Sequence, residues 1–137
     1  MDYAYLIIPL IVVVGSQAIK LTTDGIRGNF DIRNFFITYG GMPSSHTALA
    51  VSVTTLVGLR QGITSALFAV ALCFTLLVMR DAMTVRYILG KQGQALNQLL
   101  HTQSGTTRFP ERLGHSMLEV LAGAVWAVAV TYFLNLL

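Results

Sequence analysis

Four stretches of the chain are almost wholly apolar: residues 3–19, 47–59, 63–79 and 117–137. A helix that crosses a bilayer core needs about 20 mostly apolar residues, with about 17 at the lower end of the range. Each stretch therefore reads as a membrane-spanning helix, the second only if Ser44, Ser45 and His46 are counted into it. Pro9 falls inside the first and is compatible with a helix there if a neighbour covers the carbonyl it frees. Arg60, Gln61 and Gly62 separate the second stretch from the third, which predicts a tight turn and an antiparallel pair. Gly15, Gly58 and Gly123 allow helices to approach closely.

Two polar stretches remain, 20–43 and 80–116. Within the second, residues 81–101 alternate apolar and polar positions at roughly helical spacing, with Arg86, Gly90, Gln94 and Asn97 near one stripe. This predicts a further helix that either prolongs the third or lies along the interface. Residues 101–114 are rich in Ser, Thr, Gly and Pro and read as a loop. The expected architecture is an all-α, polytopic membrane bundle in one domain over residues 1–137, with about four transmembrane helices plus an interfacial or extended helix.

Composition agrees with this. Of 137 residues, 54% are hydrophobic and 11% charged, against about a quarter charged in a soluble domain. The net charge of +3 comes without any run of adjacent Lys or Arg, which excludes nucleic acid as a partner. Cys73 is the sole cysteine; it supports neither a disulfide framework nor a cysteine metal cluster, and reads as a small packing residue. The first apolar stretch has no basic residues before it, with Asp2 instead, so it reads as a retained helix rather than a signal peptide.

Charge also sets an orientation. Lys20, Arg27 and Arg33 fall in the first polar stretch, and Arg80, Arg86, Lys91, Arg108 and Arg112 in the second, leaving Arg60 alone on the other side. With four crossings, the positive-inside rule places both polar stretches in the cytoplasm and both termini outside, as in an integral protein of the cell membrane. His46, His101 and His115 then share the cytoplasmic side.

Three groups there could do chemistry. In "GGMPSSH", a glycine-rich turn delivers Pro43 ahead of a helix start, with Ser44 or Ser45 as N-cap. Such an end binds phosphate, and His46 in the first turn could protonate a leaving oxygen; a capped helix with an interfacial histidine is the plainer reading. In "ERLGHSMLEV", His115 and Glu119 are four apart and share a helical face. Glu119 could hold one ring nitrogen and leave the other as nucleophile. A salt bridge explains the pair equally simply, although a carboxylate a full turn into an apolar segment is expensive and tends to mark function. In "RDAMTVRYILGKQGQALN", Arg86 offers a planar fork for phosphate oxygens, with Asp81 to steady it; a cytoplasmic arginine with its counter-ion weighs the same. Gln92, Asn97 and Arg27 are further candidates for phosphate contacts. Lys20, alone, reads as a snorkelling anchor, but at the same depth as His46 and His115. No Cys, Asp and His cluster has metal-ligand spacing.

Together "GGMPSSHTA", "DAMTVR" with "GKQGQALN", and "LGHSMLEV" resemble the divergent branch of the type 2 phosphatidic acid phosphatase superfamily, which is related to acid phosphatases and vanadium-dependent haloperoxidases. The resemblance runs from about Gln17 to the C-terminal helix and implies an acid phosphatase/haloperoxidase-like active-site core. The superfamily's Pro-Ser-Gly-His block, which carries the general acid, maps onto Pro43, Ser44, Ser45 and His46, with Ser45 replacing glycine. Its His-x-x-x-Asp block, nucleophile and orienting carboxylate, maps onto His115 and Glu119. Thr84 stands where the divergent branch usually has glycine. Lys20 and Arg27 keep the spacing of the superfamily's first block, with Gly28 in place of its proline. Phe109 occupies the arginine position of the last block, so that role passes to Arg86.

The function thus implied is hydrolysis of a lipid phosphate or pyrophosphate through a phosphohistidine at the cytoplasmic interface, without metal or cofactor. His115, Glu119 and His46 would be catalytic, and Lys20, Ser44, Ser45, Arg86 and Asp81 would bind or organise phosphate. The partners are the lipid substrate and the bilayer, and four thin helices leave association into a homo-oligomer open. The alternative is a relative that binds lipid headgroups or phosphate, in assembly or transport, without turnover.

Overall fold

The computed structural model describes residues 3–23, 42–100, 109 and 114–137. All regular structure among them is helical: α1 (Ala4–Thr23), α2 (Ser45–Gln61), α3 (Ala66–Met83), α4 (Val85–Leu100) and α5 (Met117–Leu136). Ser44, Ser65 and Ser116 are the N-caps of α2, α3 and α5, each accepting a backbone N–H from the first turn, as the preference for short hydroxyl side chains at that position requires. The turn between α2 and α3 forms slightly later than expected: Arg60 and Gln61 complete α2, and the chain turns over residues 62–65, with Gly62 at φ +86°, its N–H donating to Gly58 O at 3.1 Å and its carbonyl receiving Ser65 N–H at 3.2 Å.

α2 is the central helix, packed against α1, α3 and α5, while α1 also meets α5. Ile8, Val12, Ala48, Leu56 and Ala127 form the buried core, edged by Trp126 and Val130 among others. The Trp126 indole N–H donates to Val12 O at 3.1 Å, pinning α5 to α1. Cys73 is not part of this packing; it is exposed on α3.

The polarity of the bundle is inverted relative to a soluble one. Leu6, Leu10, Val70, Leu77, Val125 and Phe133 are all more than half exposed, whereas Ser16, Ser52, Thr54, Thr75 and Thr131 are buried. Ser52 and Thr131 hydroxyls meet at 2.7 Å between α2 and α5, and Thr54 and Thr75 at 2.8 Å between α2 and α3. Small hydroxyl residues inside and large apolar ones outside are the arrangement expected where lipid replaces water. Among the described residues, two stretches are long and apolar enough to cross a membrane, one within Ala66–Leu100 and the other Met117–Leu136; Ala4–Lys20 is a shorter apolar helix.

The polar stretch after the third apolar segment continues from it through one non-helical residue: α3 ends at Met83, Thr84 intervenes, and α4 begins at Val85. Thr84 sits at φ −112° and ψ −69°, with its N–H on Arg80 O and its carbonyl receiving Ile88 N–H. A residue at negative φ needs no glycine, so the threonine is sterically ordinary there.

Candidate active site

Up-and-down connectivity gathers the end of α1, the start of α2, the end of α3 and the start of α5 at one end of the bundle. The opposite end is tied by Arg60 Nε to Asn135 Oδ1 at 2.6 Å and by Gln61 Nε2 to Tyr5 Oη at 3.3 Å.

His115 is fixed from both sides. Its backbone N–H donates to Ala82 O at 3.1 Å, joining it to the last turn of α3. Just before it, a Cβ at Gly114 would stand 2.5 Å from Tyr87 Cα and 2.6 Å from Tyr87 N, so the chain crosses the α3–α4 junction at a place where only hydrogen fits. Just after it, Ser116 opens α5 with a reciprocal cap: Glu119 N–H donates to Ser116 Oγ at 3.3 Å, and Ser116 N–H to Glu119 Oε2 at 2.9 Å. The same Oε2 lies 3.1 Å from His115 Nδ1. One carboxylate oxygen thus closes a helix end and holds an imidazole that is 7% exposed. With Nδ1 engaged by the carboxylate, Nε2 is the ring nitrogen left for chemistry.

The start of α2 docks on the same turns of α5. Ser44 N–H donates to Glu119 O at 3.1 Å, and a Cβ at Gly123, one turn further along, would stand 2.5 Å from Ser44 O. Ser44 Oγ receives Thr47 N–H at 3.5 Å and Thr47 Oγ1–H at 3.1 Å. Ser44 is fully buried, its amide tying the start of α2 to α5 and its hydroxyl accepting from the first turn of α2. Ser45 is also buried, whereas His46 reaches the surface.

Across the Thr84 break, Arg86 Nε donates to Asp81 Oδ2 at 2.9 Å. Lys20, at the end of α1, is 6% exposed. These groups act on both histidines. Arg86, His115 and Lys20 set positive charge, and Asp81 negative charge, around the His46 imidazole. Burial lowers the pKa of His115; Glu119 opposes this through its hydrogen bond and charge, and Lys20 and Arg86 add to it. The structure therefore brings Lys20, His46, Asp81, Arg86, His115 and Glu119 into one electrostatic neighbourhood.

The other candidates are elsewhere or engaged. Asn97 Nδ2 donates to Phe109 O at 2.9 Å and Asn97 Oδ1 receives Phe109 N–H at 2.8 Å, so its amide clamps backbone. Gln92 is exposed on α4. Arg27 and His101 lie outside the described residues. Among the described residues no three His, Cys, Asp or Glu side chains gather as a metal-binding group. Sequence reasoning did not anticipate the Ala82 carbonyl or the Ser44–Glu119 link, because main-chain partners leave no residue-type signal.

The model of the Divergent PAP2 family matches residues 1–130. The chain belongs to that family. Among its similar proteins is a membrane protein of Bacillus subtilis (strain 168), YuiD, described as uncharacterized, 29% identical over 141 residues that cover 91% of this chain and 89% of the relative. No solved structure matches. Membership of the Divergent PAP2 family, a membrane-protein relative and the lipid-suited exterior agree that this is a membrane protein, all-helical in its regular structure among the described residues.

Proposed function

We propose that the chain is a membrane phosphatase that hydrolyses a lipid phosphate or pyrophosphate through a phosphohistidine, in a single four-span domain with the site at the cytoplasmic face and both termini outside. The observation that carries this reading is the 3.1 Å contact between His115 Nδ1 and Glu119 Oε2, within reach of the charges of Lys20 and Arg86. A carboxylate on one ring nitrogen is how a histidine is oriented to use the other.

In the proposed reaction the Nε2 lone pair of His115 attacks phosphorus, the bond from phosphorus to the lipid oxygen breaks, and His46 gives that oxygen its proton. Water then attacks the phosphohistidine, His46 takes a proton from it, and Nε2 departs to release phosphate. Glu119 stabilises the cationic ring. Lys20, the guanidinium of Arg86 steadied by Asp81, and the first-turn amides of Ser45 and His46 would carry the charge on the equatorial oxygens. An arriving phosphate adds negative charge that favours the protonated form of His46, which takes its proton from water, while His115 attacks from its neutral form with Nδ1–H on Glu119. No metal or cofactor has a part in this scheme, and the partners are the lipid substrate and the bilayer.

A second reading, phosphate or headgroup binding without turnover, has one observation in its favour: Phe109 stands where the wider superfamily carries an arginine. Phosphate release from lipid phosphates by purified protein, compared with His115→Ala and His46→Ala, separates the two. The phosphatase predicts release that both substitutions abolish. Binding of lipid phosphate with no histidine-dependent release across a broad panel would establish the second reading instead.

A further inference from the structure

The buried hydroxyls of the helices are hydrogen-bonded, with one exception. Ser16 Oγ donates to Val13 O at 2.7 Å, Ser44 Oγ receives Thr47, Ser52 meets Thr131, and Thr54 meets Thr75, which also donates to Ala50 O at 2.9 Å. Ser45 is only 9% exposed, yet its side chain makes no hydrogen bond to any described residue. Among the described residues every fully enclosed side-chain nitrogen or oxygen has a partner, so the Ser45 hydroxyl is the part of that residue that still reaches the outside. Withdrawing a hydroxyl from water without a partner is unfavourable, and a group left in that state calls for a reason.

The place of Ser45 supplies one. It opens α2 between Ser44, whose N–H donates to Glu119 O at 3.1 Å, and His46, which lies in the field of Arg86, His115 and Lys20. The first N–H groups of a helix have no acceptor within it, so the amides of Ser45 and His46 and the Ser45 hydroxyl make three donors on two consecutive residues. Such a set suits an anion. Taking the phosphate site proposed above as given, we infer that Ser45 Oγ–H donates to a phosphoryl oxygen and is a phosphate-binding group in its own right, beyond the amide beside it. Its hydroxyl is then partnered in the loaded protein and not in the empty one. Because the contact is to an oxygen on phosphorus, it serves any ligand with a terminal phosphate, lipid-borne or free.

The test compares two serines of α2 in the full chain in nanodiscs. It reads the unfolding temperature without anion, the affinity for inorganic phosphate and for a lipid phosphate, and phosphate release. Ser45→Ala removes no hydrogen bond from the fold, so unfolding without anion should stay at the wild-type temperature while affinity for both phosphates falls by about tenfold or more. Ser52→Ala removes the bond to Thr131 and should do the reverse, melting earlier with phosphate affinity kept. The corresponding lipid alcohol should bind wild type and Ser45→Ala alike. Ser45-dependent binding of both phosphates with no release from any lipid phosphate would uphold the hydroxyl contact while the phosphatase reading failed. Histidine-dependent release, with Ser45→Ala unchanged in phosphate affinity and KM, would overturn the contact and leave the phosphatase reading intact. Earlier melting of anion-free Ser45→Ala with wild-type phosphate affinity would also overturn it, since the hydroxyl would then serve the fold. So would a loss confined to the lipid phosphate, which would place the hydroxyl against the lipid and not the phosphate.

Discussion

Glu119 Oε2 lies 3.1 Å from His115 Nδ1 and 2.9 Å from Ser116 N, so a single carboxylate oxygen serves both the fold and the candidate nucleophile. The two roles can be separated by chemistry. Glutamine at the third position of a helix also caps it, but carries no charge to stabilise an imidazolium. Glu119→Gln should therefore leave thermal unfolding in detergent within about 1 kcal/mol of wild type while lowering phosphate release by about 100-fold or more. Glu119→Ala should lose both.

The pH dependence of stability follows from the lowered His115 imidazole. A histidine whose folded pKa lies below its unfolded value favours the neutral form in the fold. Its contribution is complete above the unfolded value near 6.5 and is lost as pH falls toward the folded pKa, because there the unfolded chain binds more protons. The protein without phosphate should therefore melt at lower temperature as pH drops from about 7 to 5.5. His115→Asn should flatten that slope. Vanadate or phosphate should also flatten it, since a bound anion favours the charged rings; thermal scans across this range check the direction.

Gly123 fixes the spacing between the two histidine-bearing helix starts. A Cβ there meets Ser44 O, a backbone atom, at 2.5 Å, so no side chain can rotate out of the way. Gly123→Ala should cost about 1–3 kcal/mol of stability and lower turnover more than it raises KM, because it moves His46 relative to His115. Unfolding midpoints and steady-state kinetics on the same preparation distinguish these effects.

Arg86 gives a test of geometry against charge. Lysine keeps the charge but loses the planar fork that both holds Asp81 and meets phosphate. Arg86→Lys should recover only part of the KM lost in Arg86→Ala. Asp81→Asn should raise KM less than either, as it loosens the guanidinium without removing it.

The hydroxyl pairs between helices bear on the membrane fold itself. Thr131→Val breaks the 2.7 Å bond to Ser52 at nearly constant volume, and should destabilise the bundle by about 0.5–2 kcal/mol. Unfolding in mixed micelles measures it.

The helices were legible because their signals are local: four apolar stretches, a polar Arg60 to Gly62 break, and a Ser44–Ser45 cap at one helix start. His115 with Glu119 was legible for the same reason, since i and i+4 on one helix must meet. The expectation that Lys20, His46, Arg86 and His115 share one end came from counting crossings. The burial of Ser44 was not legible, because a hydroxyl that caps inward and one that faces a ligand look identical in sequence; only the depth of α2 against α5 separates them. The bonds of the Asn97 amide to the Phe109 backbone were not legible either, since main-chain partners leave no residue-type signal. Whether α4 continued α3 depended on the backbone at Thr84, where residue type alone allows either outcome.

The central claim is that His115 becomes phosphorylated in turnover. Purified protein should be mixed with a lipid phosphate radiolabelled at phosphorus, quenched in base within one turnover, and digested for mass spectrometry. The account predicts an acid-labile, base-stable phosphoryl group on His115 that is absent in His115→Ala and accumulates in His46→Ala when the substrate's leaving group is good enough to depart without a proton. Histidine-independent phosphate release, or a phosphoryl group on any other residue, would contradict it.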